Sequence, residues 1–139
     1  VGFTVEDGSR KMALCTDLGV VTRGVLDSIR RAGLLVNEFN YDPDMLRMGP
    51  YPAMLKERIL SRQGHLSNET GGKLAAWAVQ QGTGRIVLAH LSKENNTPSV
   101  ALGAAERAMT GIEARVGEDV TLTVAPRSEG TGWMEVPEC

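Results

Sequence analysis

Short apolar runs alternate with polar segments along the chain, and the spacing of the apolar positions separates strands from helices. Five runs are apolar or β-branched and are predicted to be strands: residues 1–6, 11–16, 34–38 and 119–124, and the run that begins at Arg85. Asp7-Gly8 lies between the first two runs and is typical of a tight hairpin turn. The pattern therefore predicts a hairpin followed by three further strands.

The segments between these strands carry apolar residues at helical spacing. Thr22 is predicted to cap a helix that stops near Gly33, with its apolar side directed inward. Further helices are predicted after Asp42-Pro43, over residues 53–61, after Ser67 or Asn68, and after Thr97-Pro98. In the tail from residue 126, Trp133 is predicted to make an edge contact. Alternating strands and helices indicate an α/β domain with a sheet covered by helices.

Polar clusters stand at three predicted strand ends and at one helix start. They contain Asp17, Glu38, His90 and His65 respectively, and the carboxyl ends of strands are where open α/β sheets place their sites. Asp and His are ligands of zinc, manganese and iron. The chain has only 2 histidines, so it is short of ligands for a closed site. A strand-end histidine is also commonly a hydrogen-bonded structural residue.

The segment around His65 has a second interpretation that concerns anions. Helix amino termini present free N–H groups and the positive end of the helix dipole, so a phosphate could bind near His65 and Ser67. The alternative is that Ser67 and Asn68 only cap the helix and that His65 packs in a turn.

Composition narrows the class of protein. The 139 residues suit one domain, and 42% hydrophobic with 23% charged residues is globular composition rather than disorder. A net charge of -2 means that a nucleic acid would need a local basic patch. We expect no membrane span or signal peptide, a cytoplasmic location, and no disulfide framework from Cys15 and Cys139. Because Val1 lies within a predicted strand, we expect residues 1–139 to be a fragment.

Several segments together resemble a known family. They are Thr16-Asp17-Leu18-Gly19, Glu38-Phe39-Asn40-Tyr41-Asp42, Met45-Leu46, Gly49-Pro50-Tyr51-Pro52, Leu55-Lys56, Arg58-Ile59, Gly64-His65-Leu66-Ser67-Asn68, and the run from Ala89-His90 through Thr97-Pro98. In these segments the chain resembles the carboxyl-terminal half of a metallo-β-lactamase-fold hydrolase. The branch it resembles is the YycJ-like (WalJ) group of exonucleases, which is related to ribonuclease Z.

The resemblance implies a fold and a set of roles. The fold would be the carboxyl-terminal βα half of an αββα sandwich, with a mixed sheet covered by helices and two divalent metal ions, zinc or manganese, between the halves. By resemblance Asp17 is the bridging carboxylate and His90 the last histidine ligand, while His65 protonates the leaving oxygen and Glu38 orients His65. Substrate contacts would come from Ser67, Asn68, Ser92, Asn95 and Asn40.

The chain departs from the family in one large respect. The family's His-x-His-x-Asp-His segment is absent, and it supplies most of the metal ligands. We therefore expect the intact protein to cleave DNA or RNA by two-metal activation of water, and these residues alone to be inactive until the amino-terminal half or a partner chain joins them. One sheet face should then be apolar and exposed. A smaller departure is Phe39, where relatives carry a small residue.

Two other functions fit parts of the pattern. The chain could be a non-catalytic α/β binding or regulatory domain, or it could belong to an acyl or thioester hydrolase of the same superfamily. Lys56, Arg58 and Arg62 near the His65 segment favour phosphate substrates, because basic side chains suit an anionic backbone. The same three charges would also fit an ordinary solvated helix face.

Overall fold

The computed structural model describes residues 2–138, and it contains one five-stranded sheet. The strands are β1 (Gly2–Asp7), β2 (Arg10–Cys15), β3 (Leu34–Glu38), β4 (Arg85–Ala89) and β5 (Thr121–Val124). The predicted hairpin is confirmed, since β1 and β2 pair antiparallel around Gly8. The predicted start of a strand at Val1, and the prediction for Cys139, lie outside the described residues.

Five helices connect the strands, and side chains cap most of them. They are α1 (Arg23–Ile29), α2 (Pro43–Met48), α3 (Ala53–Leu60), α4 (Asn68–Gln80) and α5 (Pro98–Gly111). The predicted caps are confirmed at Thr22, Ser67 and Thr97, whose hydroxyls each accept a hydrogen bond from a backbone N–H three residues later. Within residues 2–138 no helix has the length and hydropathy needed to cross a bilayer.

The strand order β1-β2-β3-β4-β5 follows the sequence, and β2 to β5 are parallel. Parallel crossover connections are right-handed, and here each one leads to the next strand on the same side of the previous strand. The connecting helices therefore lie on one face of the sheet. The core between the layers contains Ala13, Leu35, Ile86 and Leu88 from the sheet. Gly71 permits the close contact of α4 with β3, since a Cβ there would lie 2.4 Å from the carbonyl oxygen of Glu38.

The opposite face of the sheet carries a second set of apolar side chains. Phe3 pairs with Leu14 and Val5 pairs with Met12, and these residues alternate with those that face the helices. Phe3 is 64% and Val5 is 59% exposed. The expected exposed face is therefore found only on the edge hairpin, since Leu34, which pairs with Met12 on the same face, is 2% exposed.

Two predictions about local structure are wrong. The first helix ends at Ile29 rather than near Gly33, and Arg31 then adopts a left-handed conformation that turns the chain toward β3. Trp133 makes no edge contact and is fully exposed. The tail instead returns to the sheet beyond Trp133, where Glu135 pairs with Arg10 and Pro137 packs against Gly33.

Candidate metal centre

The four predicted polar clusters converge at one edge of the sheet, as expected for the carboxyl ends of parallel strands. Glu38 is the last residue of β3, Asp17 follows β2, His90 follows β4 directly, and His65 lies in the loop before α4. Asp17 and His90 have φ angles of 54° and 59°, in the left-handed region that residues other than glycine seldom adopt. Backbone strain of this kind often occurs at functional sites.

Glu38 is the centre of the cluster and is completely buried. Its Oε1 lies 2.9 Å from His65 Nδ1 and 2.8 Å from His90 Nδ1. Its Oε2 accepts hydrogen bonds from the backbone N–H groups of Leu18, at 2.8 Å, and Leu66, at 3.3 Å. An ionised carboxylate only accepts hydrogen bonds, so both rings donate from Nδ1 and keep Nε2 available. Carboxylates commonly orient metal-binding histidines in this way.

Asp17, His65 and His90 form a set of metal donors. Each offers a ligand atom, and these atoms lie within 4.8 Å of one another. Asp17 Oδ1 is 3.9 Å from His90 Nε2, so both atoms could reach one ion at the bond lengths of about 2.0–2.2 Å usual for zinc. All three side chains are partly exposed. The residues therefore fit a divalent ion, with positions left for further ligands.

The two histidines differ in how they face Asp17. For His90 it is the free nitrogen, Nε2, that lies 3.9 Å from Asp17 Oδ1. For His65 the nitrogen at 3.9 Å from Asp17 Oδ1 is Nδ1, which already contacts Glu38. The rings meet edge to face with their centres 5.1 Å apart. His90 is thus better placed than His65 to bind an ion together with Asp17.

A network of buried asparagines joins the loops that carry these side chains. Asn96 Nδ2 lies 2.8 Å from Asn68 Oδ1, and Asn68 Nδ2 lies 2.9 Å from Asn96 Oδ1. Asn96 also donates to the carbonyl oxygens of Phe39 and Asn40. Asn40 in turn donates to the carbonyl oxygen of His90 at 2.7 Å. The loops after β3 and β4 and the start of α4 are therefore held in one arrangement.

The residues predicted to contact substrate lie in or beside this network. Asn68, Asn95 and Asn40 are buried, so direct contact with a substrate would require their loops to open. Ser67 caps α4, and Ser92 Oγ accepts from the N–H of Asn95. Substrate contact stays a prediction for all five, and burial disfavours it for the three asparagines. The importance of Asn96 was missed, although its position just before the Thr97-Pro98 helix start was a local signal.

The segment with the predicted basic residues packs over the Asp17 loop. The carbonyl oxygen of Arg62 lies so close to Gly19 that a Cβ there would be 2.0 Å away, and glycine is therefore required. Arg58 and Arg62 are exposed, while Lys56 donates to the carbonyl oxygen of Arg47. Burial, and then the negative charge of Glu38, raise the pKa of Tyr41. Glu38 thus gives the site a buried carboxylate, and the exposed Arg58 and Arg62 belong to the segment that packs over the Asp17 loop.

Comparison of the sequence with those of known proteins identifies relatives of this chain. No family model matches the chain. The chain is 38% identical to exodeoxyribonuclease YycJ of Bacillus anthracis over 116 residues, which cover 84% of this chain and 44% of that protein. It is 37% identical to exodeoxyribonuclease WalJ of Streptococcus pneumoniae over 117 residues, 84% of this chain and 43% of that protein.

The fold has a neighbour among solved structures. It matches the metallo-beta-lactamase fold protein YhfI from Bacillus subtilis with a TM-score of 0.59 at 18% identity, covering 89% of this chain and 40% of that chain. The chain spans less than half the length of each of these proteins. It is therefore a relative, in sequence, of part of the YycJ/WalJ exodeoxyribonucleases, and it has the fold of part of a metallo-β-lactamase-fold protein.

Proposed function

We propose that this chain is part of a metal-dependent phosphodiester hydrolase that cleaves DNA. The observation that carries the proposal is the cluster in which Glu38 contacts both His65 and His90 while Asp17 Oδ1 lies 3.9 Å from each ring. The exodeoxyribonuclease names of the two relatives support DNA as the substrate.

In this proposal each residue has one role. Asp17 Oδ1 and His90 Nε2 would hold a divalent ion, zinc or manganese, and Glu38 keeps the His90 ring in the tautomer that leaves Nε2 free. Bound metal ions would lower the pKa of water and stabilise the oxygens that attack and leave. In its imidazolium form His65 would give its Nε2 proton to the leaving oxygen and become neutral, while its Nδ1–H stays bonded to Glu38.

The donor set is incomplete for two ions. The described residues bring together Asp17, His65 and His90, whereas a two-metal site needs more ligands than these. We propose that the remaining ligands come from a further segment with the His-x-His-x-Asp-His pattern. The same segment would cover the sheet face on which Phe3 and Val5 are exposed.

The test compares this chain alone with the chain mixed with the part of a YycJ or WalJ relative that it does not match. We expect the chain alone to hold less than one equivalent of manganese or zinc and to leave end-labelled single-stranded DNA intact. The mixture should bind metal fully and shorten the DNA. His65→Asn in the mixture should lower turnover by about 10²- to 10⁴-fold and keep the metal.

Each part of the proposal has its own contrary result. Loss of metal in His65→Asn would make His65 a ligand. A mixture that binds metal fully but hydrolyses a thioester and not DNA would replace the nuclease with the acyl hydrolase. Full metal binding and DNA cleavage by the chain alone would contradict the need for a further segment.

A further inference from the structure

A cleft of about 470 Å³ adjoins the candidate metal centre on the side of β5. It lies between the carboxyl ends of β4 and β5 and the start of α5, and its lining includes the candidate metal ligand His90 itself. The complete lining is His90, Leu91, Pro98, Val124, Ala125, Pro126 and Arg127. Pockets for small organic ligands typically have about 300–1,000 Å³, so a nucleotide-sized group fits in this space.

The end of β5 builds part of the wall of the cleft. The N–H of Ala125 donates to the carbonyl oxygen of Leu88 at 2.8 Å and extends the pairing with β4 by one residue. Pro126 has no N–H and cannot continue the ladder, so the sheet pairing stops there. Arg127 Nη2 then donates to the carbonyl oxygen of Leu91, at 3.4 Å. The segment from Ala125 to Arg127 is thereby held beside the loop that carries His90.

The chemistry of the lining is apolar with one strong cation. Leu91, Pro98, Val124, Ala125 and Pro126 supply apolar surface, and no carboxylate is among the described residues that line the cleft. The guanidinium of Arg127 is exposed and makes one long hydrogen bond, which leaves most of its N–H groups available. An apolar wall next to a planar cation suits a flat base attached to a phosphate.

We propose that this cleft receives the nucleoside next to the scissile bond, with Arg127 contacting a phosphate of the same strand. The inference rests on the proposed function, because His90 belongs both to the metal centre and to the lining of the cleft. The occupant is the base and sugar of the substrate strand, bound through contacts that do not depend on base identity. The cleft thus selects a nucleotide strand over a small phosphate ester.

The test uses this chain and three probes: dAMP, dTMP and inorganic phosphate. Binding is followed by the NMR shifts of backbone amides and by calorimetry. We expect both nucleotides to shift Leu91 and Ala125, and to bind at least about tenfold more tightly than phosphate, a difference of about 1.4 kcal/mol. Arg127→Gln should weaken nucleotide binding by about two- to fivefold, the range of an exposed ion pair. Arg107→Gln, an exposed arginine of α5 outside the cleft, is the matched control and should change nothing.

A second variant tests the apolar wall of the cleft. Ala125→Trp should fill the cleft and remove nucleotide binding while the chain still binds phosphate, with circular dichroism used to verify folding. Equal binding of dAMP and phosphate, or unchanged nucleotide binding in both Arg127→Gln and Ala125→Trp, would overturn the inference. Manganese binding is measured on every variant. If the unmodified chain mixed with its complementary segment does not bind manganese, the proposed function is wrong, whatever the result for the cleft.

Discussion

Replacing Glu38 by Gln tests the central feature of the site with the smallest change of shape. The carboxylate contacts His65 Nδ1, His90 Nδ1 and the backbone N–H groups of Leu18 and Leu66. Glutamine has one accepting oxygen and one NH₂ group that only donates. If the oxygen keeps the two backbone N–H groups, the NH₂ faces both rings, and each ring must then present an unprotonated Nδ1.

These contacts set the expected losses of stability and of metal affinity. Hydrogen bonds to a charged group contribute about 1.5–3 kcal/mol each, but the rings are part exposed and can change tautomer, so we expect a loss of about 2–3 kcal/mol in the free energy of unfolding. With an m value of about 2 kcal/mol/M, the urea midpoint should fall by about 1–1.5 M. The tautomer change places a proton on Nε2 of His90, so metal affinity should fall by about 10- to 100-fold.

Two assays measure these effects: urea unfolding of the chain followed by circular dichroism, and titration with manganese of the chain mixed with its complementary segment. Glu69→Gln is the control because Glu69 is exposed and pairs only with Lys73, one turn along α4. It should leave both the urea midpoint and the metal affinity nearly unchanged. If Glu38→Gln keeps the urea midpoint and the metal affinity of the unmodified chain, the reasoning about the shared carboxylate is wrong.

Two further predictions concern buried polar groups. Asn96→Ala should lower the free energy of unfolding by about 3 kcal/mol, because it leaves the amide of Asn68 and the carbonyl oxygen of Phe39 without their partner, while the carbonyl oxygen of Asn40 keeps the N–H of Ser92. Asn95→Ala removes a buried amide with no hydrogen bond and should cost about 1 kcal/mol or less in the same urea assay. Equal costs would contradict the network. Burial raises the pKa of the Cys15 thiol above its ordinary value, so in a Cys139→Ser variant alkylation at mildly alkaline pH should be much slower in the folded chain than in urea. Because the folded pKa is the higher one, the contribution of this thiol to stability is present below about pH 9 and decreases above it, and rapid alkylation of the folded chain would contradict its burial.

The limits of the sequence-based predictions have local causes. Every strand and helix was predicted, because hydrophobic period and capping residues act within a few positions. The end of α1 was misplaced because Arg31, not a glycine, takes the left-handed position that turns the chain. Trp133 was predicted to make an edge contact, but its exposure depends on the path of the tail beyond it. Both errors concern segments where tertiary contacts decide the conformation.

The sequence by itself predicted the side chains that the structure brings together in the candidate site. Glu38 ends β3, Asp17 and His90 follow β2 and β4, and His65 precedes a capped helix. The parallel order of β2, β3 and β4 brings these side chains to one edge. Only the tertiary structure decided that Glu38 contacts both rings and that Asn68 and Asn95 are buried. These facts depend on distances between segments 20 to 52 residues apart in sequence, which are set by strand register and by close packing between layers.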